Sequence, residues 1–193
     1  MQYKKVTNNF AFYEFRPSGS PKSWMPTSKY QKKMIVSLAK NLQIVRDKIS
    51  KGYMKITNGV RVEEDYNRLI KNGYKPSKTS DHYFGLAIPL TLNSYKYKKY
   101  GPTYNFTMGA VDIVPYGITV LNLFSIAINL CENDECDFGQ IIYEKNPKTK
   151  AEWIHFGGSP KPFLSEEIIN FLNRNKYLQS LDGGKTYKTF NLA

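Results

Sequence analysis

At 193 residues and 41% hydrophobic content the chain is long enough for one well-buried core and too short for two independent ones, so a single domain over 1–193 is expected. No run approaches the ~20 apolar residues of a membrane span, and the start, Met1-Gln2-Tyr3-Lys4-Lys5, lacks the apolar stretch of a secretory signal; a soluble protein follows as the expectation. A net charge of +12 favours acidic partners such as nucleic acid, an anionic cell-wall polymer or a phosphate-rich surface, without choosing among them. Fifteen tyrosines among many lysines would suit base stacking, but tyrosine is equally a strand residue and no nucleic-acid motif is present, so no nucleic-acid partner is predicted.

Taken in order, Asn9 to Arg16 reads as a lead-in packed by its aromatics, and Pro17-Ser18-Gly19-Ser20-Pro21 then breaks regular structure. From Ser28, an N-cap by type, Tyr30, Met34, Ile35, Leu38, Leu42, Val45 and Ile49 recur at three- and four-residue steps with lysines between them. This predicts an amphipathic helix ending near Lys51-Gly52. Tyr53 to Thr57 alternates like a short strand, Asn58-Gly59 turns the chain, and the second half of Val60 to Ile70 is predicted helical. Arg61, just past that turn, is placed to project into a site at the strand end, where its planar fork would suit a carboxylate or carbonyl oxygen; the plainer reading is a surface ion-pair partner.

Lys71 to Thr79 is a basic loop leading to Ser80-Asp81-His82-Tyr83-Phe84-Gly85. Leu86 to Leu92 and Tyr104 to Val114 read as strands of a long hairpin with a Lys- and Tyr-rich tip at Asn93 to Thr103. Ile118 to Leu130 reads as an apolar helix, Phe138 to Glu144 and Trp153 to Phe156 as strands, Ser165 to about Asn175 as a helix with Glu166 and Glu167 in its first turn, and Tyr177 to Phe190 as two short strands around an Asp182-Gly183-Gly184-Lys185 turn. Cys131 and Cys136 could bridge a turn or bind metal, but with no second pair the expectation is two reduced thiols. The fold class is α+β.

The chain has only two histidines, His82 and His155, each beside acidic or small polar residues, and Asp112 stands among Ala110, Val111, Ile113 and Val114. A carboxylate in so apolar a strand is costly to bury unless paired or metal-bound. Two imidazoles and one carboxylate would give Zn²⁺ three protein ligands and leave a fourth tetrahedral position for water. Glu152, three residues before His155, is a nearby carboxylate free to handle protons. In an extended Trp153–Phe156 segment, Glu152 faces the same way as His155 only if it lies in the preceding turn, and that is the expectation.

Taken together, Ser80 to Gly85, Gly109 to Pro115 and Glu152 to His155 resemble the Ser-x-His-x-x-Gly, Gly-x-Ala-x-Asp and Glu/Asp-x-x-His segments of the zinc D-alanyl-D-alanine carboxypeptidase family, peptidoglycan peptidases that share a fold with the hedgehog signalling domain. Asn58-Gly59-Val60-Arg61 is similar to the family's Ser-Gly-Tyr-Arg turn, and the Asn-Phe-Ala-Phe-Tyr-Glu-Phe opening resembles phage-type members. The resemblance covers roughly residues 10–158, leaving 159–193 as a C-terminal helix and tail. It departs at Pro89, which stands where the family has its aspartate; 86–108 is therefore read as a hairpin inserted between the motif's halves, with Asp112 as the ligand.

The resemblance implies a hedgehog/DD-peptidase-like fold with a central antiparallel sheet, flanking helices and the inserted hairpin. It implies Zn²⁺ on His82, Asp112 and His155, Glu152 as the proton-transferring carboxylate, Arg61 stabilising the oxyanion or anchoring a substrate carboxylate, and Ser80 as a lesser group for orienting substrate or His82. The implied activity is a metallopeptidase, a hydrolase acting on peptidoglycan stem peptides as a D,D-carboxypeptidase or endopeptidase, in a phage lysin or virion-associated cell-wall enzyme. Such a protein would reside in the virion or the host cytoplasm and could contact other virion proteins. The alternatives are a non-enzymatic virion component that keeps the fold, and a zinc peptidase acting on ordinary protein.

Overall fold

Among the described residues six strands form one mixed sheet, in the side-by-side order Tyr53–Asn58, Ala110–Tyr116, Glu152–Gly158, Phe138–Lys145, Tyr177–Ser180, Lys188–Thr189, and two of three α-helices pack on one of its faces. A computed structural model of the chain describes residues 4–73, 76, 80–84, 108–163 and 176–190. The strands are β1 Tyr53–Asn58, β2 Ala110–Tyr116, β3 Phe138–Lys145, β4 Glu152–Gly158, β5 Tyr177–Ser180 and β6 Lys188–Thr189. The helices are α1 Lys29–Asp47, α2 Glu63–Lys71 and α3 Val120–Glu132, with single 3₁₀ turns at Phe12–Phe15 and Asp81–Tyr83.

The architecture is α+β, as expected, but the sheet is not wholly antiparallel: β5 runs parallel to β3 while every other neighbouring pair is antiparallel. The reason lies in the connections. A short turn joins β3 to β4 and makes them run oppositely; β4 therefore ends where β3 begins, and β5, starting at that same end of the sheet on the other side of β3, runs parallel to it.

Helix α1 begins where Ser28 caps it, the Ser28 Oγ accepting the Gln31 N–H at 3.0 Å. It ends at Asp47, short of Lys51, because the N–H groups of Lys48 and Ile49 reach the carbonyls of Val45 and Arg46 and tighten the chain into a 3₁₀ turn. Its stripe of Met34, Ile35, Leu38, Leu42 and Val45 is fully buried. Helix α3, capped by Thr119, adds Leu123, Phe124, Ala127 and Ile128. Both pack on the sheet face built by Val111, Ile113, Ile141, Tyr143, Ile154 and Phe156, with Phe10, Phe12 and Phe15 completing the core. Cys131 and Cys136 are free, buried thiols with their sulfurs 3.3 Å apart.

Among the described residues no helix is long and apolar enough to cross a membrane. The predicted strand Leu86–Leu92, the inserted hairpin of 86–108 apart from Met108, Pro89, and the helix Ser165–Asn175 lie outside the described residues.

Candidate metal centre

The opposite sheet face carries the polar residues, and the period of two explains why: Val111 and Ile113 point to the helices, so Asp112 between them points away. Asp112 lies directly across from His155 in the β2–β4 pairing. On its other side β1 has an irregularity between Ile56 and Asn58, which brings two β1 side chains onto one β2 residue. Asn58 Nδ2 donates to Asp112 Oδ2 at 2.9 Å, and Thr57 Oγ1 donates to the Asp112 carbonyl at 3.1 Å.

His82 comes from the 3₁₀ turn ahead of β2. Its carbonyl accepts the Arg61 N–H at 2.7 Å, and its ring Nδ1 lies 2.8 Å from the Gly59 carbonyl. Gly59 must be a glycine there, because a Cβ would fall 2.4 Å from the Phe15 carbonyl oxygen. A carbonyl only accepts, so Nδ1 of His82 carries the hydrogen and Nε2 is left facing the cluster. That Nε2 is 3.3 Å from Asp112 Oδ1, and His155 Nδ1 is 3.0 Å from the same oxygen.

Two imidazole nitrogens therefore converge on one carboxylate oxygen, with all three side chains buried. A neutral His82 would aim a lone pair at that anionic oxygen, an arrangement that calls for a proton or a metal cation between them. The spacing suits a cation, since a tetrahedral zinc shell with bonds of ~2.0–2.1 Å places its ligand atoms ~3.3 Å apart. His82, Asp112 and His155 could thus hold a metal ion, their donor atoms all lying within 4.8 Å of one another. Burial on its own would raise the Asp112 carboxyl, but His82 and His155 overcome it and hold that carboxyl well below the usual range. Burial likewise opposes charge on His155; the hydrogen bond its ring donates to Asp112 and the charges of Asp112, Glu144 and Asp81 turn the net shift upward.

Arg61 and Ser80 are brought together at the edge of this cluster: Arg61 Nη1 donates to Ser80 Oγ at 3.1 Å, so Ser80 positions the guanidinium rather than His82. The Tyr83 hydroxyl is buried without a hydrogen-bond partner among the described residues; burial raises its pKa and the Arg61 charge opposes the rise.

Glu152 is placed differently from the expectation. It is the first residue of β4, paired with Lys145 of β3, not part of the preceding turn. Alternation then puts it on the side of Ile154 and Phe156, away from His155. The Lys145 ammonium donates to its carboxylate at 2.6 Å and, with a second hydrogen bond from Tyr143, holds its pKa below the ordinary value. The pairing of Lys145 with Glu152 across the hairpin brings this ion pair together.

A second carboxylate on the histidine face, beside Asp112, is Glu144, which sequence reasoning passed over. Its signal was there in Ile141-Ile142-Tyr143, three consecutive apolar residues that mark a strand covered on both faces, where the next side chain is also buried. No family model matches this chain, and no curated protein or solved structure matches it at a significant level.

Proposed function

We propose that the chain is a zinc-dependent peptidase with the hedgehog/DD-peptidase fold, cleaving peptidoglycan stem peptides as a phage lysin or virion-associated cell-wall enzyme. The observation that carries this reading is the donor set: the nitrogens of His82 and His155 lie 3.3 and 3.0 Å from one buried Asp112 oxygen, three ligands with a fourth tetrahedral position left over. Further support comes from the chain order Arg61, His82, Asp112, His155, which is that of the peptidase motifs, and from the +12 charge, which favours approach to an anionic envelope.

Bound zinc would supply Lewis acidity, lowering the pKa of water to ~7 and polarising a carbonyl. The protein's own groups do the rest. Asn58 and the Gly59 carbonyl fix Asp112 and His82, and Arg61, steadied by Ser80, offers its fork to a substrate carboxylate or to the developing oxyanion.

Elemental analysis of the purified chain, with mass spectrometry of purified peptidoglycan after incubation, tests the proposal. The expected result is about one zinc per chain and newly freed stem-peptide termini, both lost in His155→Ala. Absence of stoichiometric metal in the wild type would sink it. A second reading, a non-enzymatic virion component that keeps the metal, is favoured by the engagement of Glu152 with Lys145; metal without cleavage would select it.

A further inference from the structure

Glu144 stands opposite Trp153 in the β3–β4 pairing, two residues from the Ile142–His155 pair, so it shares the face of His155 and Asp112, ~7 Å along the strand from the histidine's partner. Only 7% of its surface is exposed, and no hydrogen bond or ion pair reaches its carboxylate among the described residues. A carboxylate this buried, with no hydrogen bond among the described residues, is a costly feature for a purely structural position, which an apolar residue would fill better.

The C-terminal tail is built onto it. Glu144 pairs with Ser180 of β5, and Ser180 Oγ accepts the Gly184 N–H while donating to Asp182 Oδ1, both at 2.9 Å. Asp182 also accepts the N–H groups of Lys185 and Thr186 at 3.0 Å, and Gly183 N–H reaches the Lys145 carbonyl at 3.0 Å. This turn brings Gly184, in the left-handed region at φ 82°, against the carboxylate: a Cβ there would lie 3.1 Å from both Glu144 Oε2 and the Tyr187 hydroxyl oxygen. Glycine thus lets the turn close down on Glu144 while Tyr187, 48% exposed, reaches solvent.

We propose that Glu144, rather than Glu152, is the carboxylate that exchanges protons with water and leaving group at the His82–Asp112–His155 centre, and that the 182–186 turn with Tyr187 walls the site. This rests on the peptidase reading. Glu144 takes one proton from the attacking water as the water oxygen bonds to the peptide carbonyl carbon; when the C–N bond breaks, that proton passes to the departing nitrogen. Peptide and water are consumed, and a carboxylic acid and an amine are formed.

The charges around Glu144 fit the task. Burial raises its carboxyl to about 7, with Asp112 and Asp182 adding to the rise and His155 and Arg61 opposing it, so it can both accept and return a proton near neutrality. Tyr187 is pushed up to about 12 by burial and by Glu144, Asp112 and Asp182, and stays a neutral hydrogen-bonding group.

The test compares wild type, Glu144→Gln, Glu144→Asp and Glu152→Gln, all full chain and metal-loaded, on a synthetic stem peptide. With metal content unchanged, Glu144→Gln is expected to lower kcat by at least ~100-fold with little change in KM, Glu144→Asp to fold and retain partial turnover, and Glu152→Gln to stay within ~3-fold of wild type. In the cobalt-substituted protein, the pH midpoint of the visible absorption change is expected to move in Glu144→Gln and to stay in Glu152→Gln. Turnover and midpoint that survive Glu144→Gln and fail in Glu152→Gln overturn the assignment alone. A metal-loaded wild type with no hydrolysis overturns the peptidase reading and this inference together.

Discussion

The two faces of one sheet solve opposite problems. On the helix-covered face, Val111, Ile113, Ile141, Ile154 and Phe156 are each fully buried, and shape is all that matters there. On the other face, Asp112, His155 and Glu144 are nearly as buried, yet every one is titratable. Burial is therefore not what separates core from site in this protein. Partnership is: apolar groups need only neighbours, whereas the buried carboxylates and imidazoles need a proton, a cation or a substrate to complete them.

That contrast can be broken most severely at its centre. Asp112→Asn keeps volume but removes the charge on which both imidazoles converge, and elemental analysis after dialysis is expected to find no stoichiometric metal while the fold, followed by circular dichroism, persists. On the opposite face the expected loss is of the fold and not of metal chemistry. Phe156→Ala opens a cavity beneath α1 and α3 and should cost about 3–5 kcal/mol in urea unfolding, with metal still bound by the molecules that remain folded.

Smaller changes sharpen the comparison. Asn58→Ala leaves all three ligands in place but removes the donor on Asp112 Oδ2, and competition with a chromophoric chelator should show metal affinity about 10- to 100-fold weaker. Glu144 supplies a pH signature. Its folded pKa of about 7 lies above the ordinary 4.5, so between those values the folded state holds a proton that the unfolded state has lost, and stability falls as pH rises. Urea unfolding of the metal-free protein at pH 5 and pH 8 should show this decline, and in Glu144→Gln it should be smaller by on the order of 2 kcal/mol, the remainder coming from His155, whose pKa is also raised. The smallest effect is expected at Lys145→Met, since the Lys145–Glu152 pair is part-exposed and worth less than about 1 kcal/mol by the same measurement.

Much of the frame is legible along the chain because it depends on near neighbours. Ser28 with the apolar stripe from Met34 to Val45 specifies α1, the alternation of Tyr53 to Thr57 specifies β1, and the apolar run after Thr119 specifies α3. The ligand candidates are legible for a different reason, scarcity: two histidines and one aspartate inside an apolar strand leave few other choices. The position of Glu152, expected in the turn and found in the strand, lay where local rules ran out, since whether a strand starts at Glu152 or Trp153 depends on pairing with β3 across the hairpin.

Residue types, period and charge, then, determined by themselves an α+β chain with His82, Asp112 and His155 as its candidate ligands, because each of those inferences needs only composition or residues a few positions apart. Tertiary structure alone decided that β5 lies parallel to β3, that Asn58 and the Gly59 carbonyl brace the cluster, and that Glu144 under the 182–186 turn, not Glu152, shares its face. Those outcomes depend on register between strands distant in sequence, where a shift of one residue sends every side chain to the other face.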